Sequence, residues 1–286
     1  MTQPVPAAPA SSWRASLSLR FARRDSESYL AHVQHQGPLR LQKPLYPEGR
    51  ETCHCILLHP PGGIAAGDTL EISVHAEKQS KAMMTTPGAS KWYRSAQGRQ
   101  EGGSQNVRIH VERDAFVEWL PQENILFNGA NAHIFTQIDL EEGAGFIGVD
   151  TCCFGRRASG ERFEQGSLRM GIDVRFCGQP LWHERTNLEA ASPVMHSEIG
   201  LAGFSMCSTI IAAGLTVGAD TLAACRQIEP KETGARCGFT VMPNLFIGRY
   251  LGDSSEAARH WFLRVFGVLR PALSARLALT PRIWLT

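Results

Sequence analysis

The chain has 286 residues, of which 43% are hydrophobic and 20% charged, with a formal net charge of +2. This suits one large or two modest globular domains with a substantial core, and it excludes the basic stripe of a nucleic-acid binder or an anionic-membrane surface. No window reaches the roughly eighteen apolar residues that would cross a bilayer, and the N-terminus lacks the pattern of a secretory signal, so a soluble cytoplasmic protein is expected.

In chain order, "MTQPVPAAPASS" (residues 1–12) reads as a flexible Pro/Ala tail. It leaves residues 13–286 as a single β-rich domain whose C-terminal part contains helix. "SLSLRF" alternates Leu17, Leu19 and Phe21, and "TLEISVHA" alternates Leu70, Ile72 and Val74. "QNVRIHV" and the ten-residue "SLRMGIDVRF" continue the same period of two. Such alternation predicts strands with one buried face. Turn signals separate them, among them Asn128-Gly129, whose residues both tolerate the positive φ of a type I′ hairpin. Strands joined by short turns predict mainly antiparallel β structure, as a sandwich, a barrel or extended stacked sheets. Helix is expected late. One candidate runs from Gly218 to Glu229, with Asp220 or Thr221 near its cap. Another starts at Asp253 as N-cap and carries Ala258, Trp261, Phe262, Val265 and Leu269 on one face, until Pro271 ends or breaks it.

The stretch "HPPGGIAAGDTL" (59–70) holds three glycines but no phosphate chemistry. A Walker A loop needs lysine and a hydroxyl after its last glycine, whereas Asp68 follows Gly67. A dinucleotide loop must lead into a helix, whereas a strand follows here. There is no G-x-S-x-G elbow; "GFSMC" around Ser205 lacks the second glycine. Adjacent Ser90 and Lys91 have no nucleophile–base geometry. An enzyme is therefore not expected.

Metal chemistry has more to offer. Cys53, His54, Cys55 and His59 supply thiolate and imidazole donors suited to zinc, nickel or copper(I). On a strand, however, Cys53 and Cys55 leave one face and His54 the other, and no second half-site completes a tetrahedral zinc centre. A core role is favoured for these cysteines, and for Cys152-Cys153. Asp68 reads first as a turn cap, and Glu118, Glu123 and Glu184 as strand-face or turn residues. Lined along an internal passage, such weak ligands would suit transient handling of a divalent cation. Arg156, Arg157 and Arg162, interleaved with Glu161 and Glu164, read as a solvated mixed-charge face.

Four blocks carry a resemblance: "LLHPPGGIAAGDTLEI", "TTPGASKWYRS", "FVEWLPQENILFNGANA" and "GVDTCCFGRRASGERFEQG". In this order and spacing the series closely resembles the urease accessory protein UreD family, called UreH in some organisms, most strongly over Cys55 to Gly166. The resemblance implies a mainly β fold of stacked, helicoid-like sheets with a few C-terminal α-helices. It also implies a non-enzymatic scaffold or chaperone. Such a protein binds UreF, recruits the GTPase UreG through it, contacts the urease apoprotein and assists nickel insertion by way of an internal tunnel. No tightly bound cofactor is implied, only transient nickel(II). Carried over residue by residue, Asp68 is the first candidate for nickel passage or partner contact, followed by Lys91, Tyr93, Arg94 and Glu123. Glu184 matches only a similar acidic position late in the family, and Arg156 with Glu161 is expected as a structural ion pair. The C-terminal helices are the implied UreF-docking elements. One departure is Ala66, where many members carry glycine; a negative φ there would make it mild. The alternatives are a stand-alone nickel- or zinc-binding protein using Cys53, His54, Cys55 and His59, and a β-rich hydrolase at Ser90 and Lys91.

Overall fold

In a computed structural model describing residues 12–95 and 101–285, the alternating segments form strands. The tail expected over residues 1–12 lies, Ser12 apart, outside the described residues. The chain opens with β1 (Arg14–Arg24) and β2 (Glu27–Gln36), followed by β3 (Arg40–Leu41) and β4 (Cys53–Leu58). Next come β5 (Thr69–Ala76), β6 (Lys81–Thr85), β7 (Ser90–Trp92), β8 (Gly103–Val111), β9 (Phe116–Leu120) and β10 (Asn124–Leu126). The long strands β11 (Asn131–Leu140), β12 (Gly145–Phe154), β13 (Ser167–Phe176) and β14 (Gln179–Glu189) follow. The C-terminal part holds β15 (Met206–Ala213), α1 (Ala219–Arg226), β16 (Arg236–Met242), β17 (Leu245–Gly252) and α2 (Ser255–Ser274).

These strands build two sheets. A seven-stranded sheet has the order β14-β13-β11-β8-β5-β1-β2. A ten-stranded sheet runs β16-β17-β15-β12-β9-β6-β4-β3, with β10 and β7 attached beside β12. From β4 to β13 the chain passes back and forth between them, and so each sheet grows by parallel neighbours. In the first sheet β1, β5, β8, β11 and β13 are parallel; in the second, β4, β6, β9 and β12. Antiparallel pairing is confined to the flanks, such as β1–β2, β13–β14 and β12–β15. The stacked, helicoid-like fold is therefore present, but the expectation of mainly antiparallel pairing is corrected. Short turns here connect different sheets rather than neighbours in one.

Asn128-Gly129 illustrates the difference. Only Gly129 has positive φ, at +84°, so this is no type I′ turn. It carries the chain from β10 in one sheet to β11 in the other. The Asn128 side-chain oxygen accepts from the backbone N–H groups of Glu164 and Gln165 at 2.9 and 2.8 Å.

Period-two alternation gives the ten-stranded sheet two apolar faces. Cys53, Cys55, Met84, Val117, Trp119, Phe146 and Cys152 face the seven-stranded sheet, where they meet Leu17, Ile72, Ile109, Ile138 and Val174 in one core. On the other face Met83, Phe116, Ile147 and Phe246 pack against Trp261, Phe262, Val265, Phe266 and Leu269 of α2. Each such side chain contributes roughly 1.5–3 kcal/mol when fully buried. Ser254, not Asp253, is the N-cap of α2, accepting from Ala257 N–H at 3.2 Å. The Asp253 carboxylate instead holds Ser205 through its N–H and hydroxyl. Helix α1 stops at Arg226, ahead of the expected Glu229, and its N-cap Gly218 offers no side chain.

Pro271 does not end α2, which continues to Ser274. Proline removes the N–H that would bond the carbonyl of Gly267, but Arg270 anchors this turn from outside. Its guanidinium contacts Glu118 of β9, Glu48 of the β3–β4 loop and the carbonyl of Leu277. Arg276 joins Glu48 and Glu51, and Lys81 also meets Glu51. Three carboxylates thus face three cations, with His54 Nε2 2.5 Å from Glu48. Burial pushes the Glu48 carboxyl up, but the bonds from His54 and Arg270 outweigh it and hold the group well below the usual carboxylate range.

Candidate functional site

The loop 59–68 crosses from β4 to β5 and so spans one end of the gap between the sheets. Gly62 N–H closes a turn onto the His59 carbonyl at 2.9 Å. Ile64 pairs with β7, donating to Lys91 O at 2.7 Å and accepting from Tyr93 N–H at 2.9 Å. A Cβ at Gly63 would stand 2.2 Å from the Tyr93 ring, so glycine is what lets the ring lie against the loop. Gly67 has φ +87°, while Ala66 is not in the left-handed region, and the departure from glycine there carries no strain.

Asp68 closes this loop. One carboxylate oxygen accepts from Trp13 N–H at 2.8 Å and the other from Ala65 N–H at 2.9 Å. The side chain is buried, and it ties the start of β1 to the crossover. Its capping reading is therefore realised in the geometry.

Behind the loop, between the sheets, lies a cavity of about 220 Å³. His59 and Lys91 line it near the loops, with Trp119, Asn124, Thr136 and Asp150 further in. A smaller void of about 20 Å³ shares Trp119, Thr136 and Asp150 and extends to Ile172 and Thr209. Asp150 therefore stands where the two meet. It is the only charged residue in the strand GFIGVDTCCF, at the parity of the inward-facing Phe146, Cys152 and Phe154. Asn124 Nδ2 donates to it at 3.3 Å, and the Asn124 oxygen accepts from Trp92 Nε1 at 3.0 Å. Burial pushes the Asp150 carboxyl up to about 6; the Asn124 bond opposes this and the nearby Glu184 adds to it.

Glu184 sits on β14, at the edge of the seven-stranded sheet. Its two oxygens accept from Arg249 of β17 at 2.8 and 2.7 Å, and Trp182 Nε1 donates at 3.2 Å. Arg249 also reaches Thr209 at 3.1 Å. This pair clasps the two sheets together at one edge. At the loop end, half-burial lowers the pKa of His59, opposed by the Asp68 carboxylate. That burial favours a neutral imidazole, the form able to accept a metal ion.

The remaining candidates divide by location. Tyr93 packs edge-on against Phe127, with ring centroids 5.3 Å apart. The Arg156 guanidinium covers the same ring at 4.4 Å and forms the expected ion pair with Glu161. Arg94 reaches Gln165 at 3.3 Å. Tyr93, Arg94, Arg156 and Glu161 thus gather around the 127–129 turn and do not line the cavity, although the Tyr93 ring lies against Gly63 at its border. Glu123 meets Arg259 of α2 at 3.3 Å, linking the "LPQEN" loop to the helix. Ser90 and Lys91 are successive residues of β7, so their side chains leave on opposite faces.

The proposed sulfur–imidazole ligand set is not assembled. Cys53 and Cys55 are fully buried in the core between the sheets, His54 is engaged by Glu48 on the other face, and His59 lines the cavity. Hydrogen bonding with Cys53, and after it burial, push the Cys55 thiol well up, which disfavours the thiolate a metal requires at that position. Asp150 was not among the sequence candidates, although a lone carboxylate inside an apolar strand is a readable signal. The Arg270 network was also missed, because its members are far apart in sequence.

Among the described residues no helix is long and apolar enough to cross a membrane. Residues 14–285 match the family model described as UreD urease accessory protein. A protein named urease accessory protein UreD from Methylobacillus flagellatus is 47% identical over 274 residues, covering 96% of this chain and 95% of its own. Its namesake from Dechloromonas aromatica is 46% identical over 278 residues, with 96% and 95% covered. A third, from Azoarcus sp., is 44% identical over 274 residues, covering 96% and 94%. A family match over nearly the whole length, with relatives this similar from end to end, means that the chain belongs to the UreD family of urease accessory proteins.

Proposed function

We propose that this protein is a cytoplasmic, non-enzymatic urease maturation factor that hands nickel(II) toward the urease apoprotein, in a complex with UreF and, through UreF, the GTPase UreG. In this reading nickel travels between the sheets, from His59 near the crossover loop, past Asp150, to the edge held by Glu184 and Arg249. The observation that carries it is Asp150, a half-buried carboxylate that faces the cavity between the sheets. Buried carboxylates destabilise a fold unless fully paired, and such perturbed groups concentrate at functional positions. Spaced single donors, rather than three or four converging ones, let an ion move on instead of holding it. The apolar stripe of α2 is already buried against the sheet, so UreF would meet the polar side of that helix, around Glu256 and Arg264.

The test is reconstitution in cells that carry the urease structural and accessory genes with this chain deleted. Wild-type chain should restore nickel-loaded, active urease and co-purify with UreF and urease subunits. Asp150→Asn should co-purify equally well but leave urease poor in nickel. Full nickel loading without this chain would end the maturation reading. Full loading with Asp150→Asn would end the route through the cavity.

A further inference from the structure

The outer face of the seven-stranded sheet carries a second cluster of metal-compatible side chains, separate from the cavity. His75 of β5 and His110 of β8 are register partners on adjacent parallel strands. Val74 and Ala76, like Ile109 and Val111, point into the core, so alternation drives both imidazoles outward together. Their ring centroids are 5.1 Å apart. Glu112, just beyond the end of β8, completes the group, with Oε1 2.8 Å from His75 Nε2. Its other oxygen accepts from Lys78 N–H at 3.1 Å, which fixes the carboxylate over the histidines. One ligand atom from each of the three lies within 4.8 Å of the others.

We propose that His75, His110 and Glu112 form a surface binding site for a divalent transition-metal ion, zinc(II) or nickel(II). Metal–nitrogen and metal–oxygen bonds are about 2.1 Å long, so two ligands on one ion stand at most about twice that distance apart. Ligands at tetrahedral angles stand about 3.4 Å apart. Rotation of these partly exposed side chains, drawing donors within 4.8 Å of one another together by up to about 1.4 Å, assembles the site. Two imidazoles and one carboxylate suit zinc and nickel, whereas calcium and magnesium favour all-oxygen sets. Water would fill the remaining positions on this open face. Glu141, with Oε1 3.8 Å from His110 Nε2, is a further carboxylate beside the group. The two strands fix the histidine backbones, and the Lys78 N–H bond plays the orienting part that outer-shell partners play at metal sites. The cluster lies on the opposite face of the sheet from Asp150, and the proposal does not rest on the nickel route through the cavity.

The experiment is titration of the full-length protein with zinc(II) and, separately, nickel(II), by calorimetry and equilibrium dialysis. Wild type should bind an ion that the His75→Ala/His110→Ala double variant binds at least tenfold more weakly, with unchanged circular dichroism. Glu112→Gln, which leaves both histidines in place, should also weaken binding and guards against misfolding of the double variant. Asp150→Asn should leave this binding as it is. Undiminished binding in both the histidine and Glu112 variants would overturn the site, as would the absence of any binding by wild type at micromolar metal. Loss of the binding in Asp150→Asn alone would overturn it too, by placing the ion between the sheets.

Discussion

Arg270 and Glu118 form a two-point ion pair inside the protein, with Nε at 2.5 Å and Nη2 at 3.1 Å from the two carboxylate oxygens and both side chains nearly solvent-free. They lie 152 residues apart and join α2 to the sheet it covers. Arg270→Met should destabilise the protein by about 3–5 kcal/mol, because it strands Glu118 and half of the bonding of Glu48 without a counter-charge. Adding Glu118→Gln should recover part of the loss. Urea unfolding of the two variants checks this; an additive penalty in the pair would mean that the ion pair contributes no coupling.

Asp150 gives a pH-dependent prediction. Its folded pKa of about 6 stands above the ordinary 3.8, so between those values the native state holds a proton that the unfolded chain has lost. Stability therefore falls as pH rises through that window. Asp150→Asn removes the penalty and should stabilise the protein above about pH 6, by at most about 3 kcal/mol. The gain should shrink on acidification and vanish near the unfolded pKa. Denaturation midpoints of variant and wild type across that range measure it, and a gain that grew on acidification would refute the assignment.

Replacing Asp68 by alanine removes the acceptor of two backbone N–H groups. Both lie close to solvent, so the expected loss is about 1–2 kcal/mol, with faster amide hydrogen exchange at Trp13 and Ala65. Asp68→Asn keeps one acceptor and should lose about half as much. Urease activation by each variant, compared with its cellular abundance, separates this tethering from a part in nickel passage. Activation that merely tracks abundance leaves Asp68 as a tether.

The Glu184–Arg249 clasp has one partner well exposed, and solvent screening limits its worth to about 1 kcal/mol or less. A double-mutant cycle with Glu184→Gln and Arg249→Ala should report a coupling of that size. It should also act on Asp150. Burial is the main cause of the raised Asp150 pKa, and removing the like charge of Glu184 should lower it slightly from about 6. A carboxylate titration followed by NMR or infrared spectroscopy would show the shift, and an unmoved pKa would mean that Glu184 is electrically remote.

What was legible in the sequence was local. Alternation in "TLEISVHA" and "SLRMGIDVRF" marked β5 and β13 to the residue, and the apolar spacing of Ala258, Trp261, Phe262, Val265 and Leu269 marked the buried face of α2. The pairing of strands was not legible, because a short turn reads alike whether the next strand lies beside the last or across a core. Pro271 misled for a related reason: Arg270, which steadies that turn, draws its partners from residues 48 and 118. The site divided along the same line. Asp68 was marked by its own loop chemistry, whereas Asp150 acquires its meaning only from Asn124, Glu184 and a cavity built by both sheets.

The passage of the chain from one sheet to the other has a kinetic consequence. A hairpin can form early from its own residues, but here each parallel pair must wait for a strand laid down in the opposite sheet. Loop closure precedes nearly every rewarding contact, so folding should be slow for the chain's size. Neither sheet can be cut out as an autonomous unit. Truncation within β4 to β13 should yield an aggregating product rather than a smaller folded one, since half-built parallel sheets expose long unpaired edges.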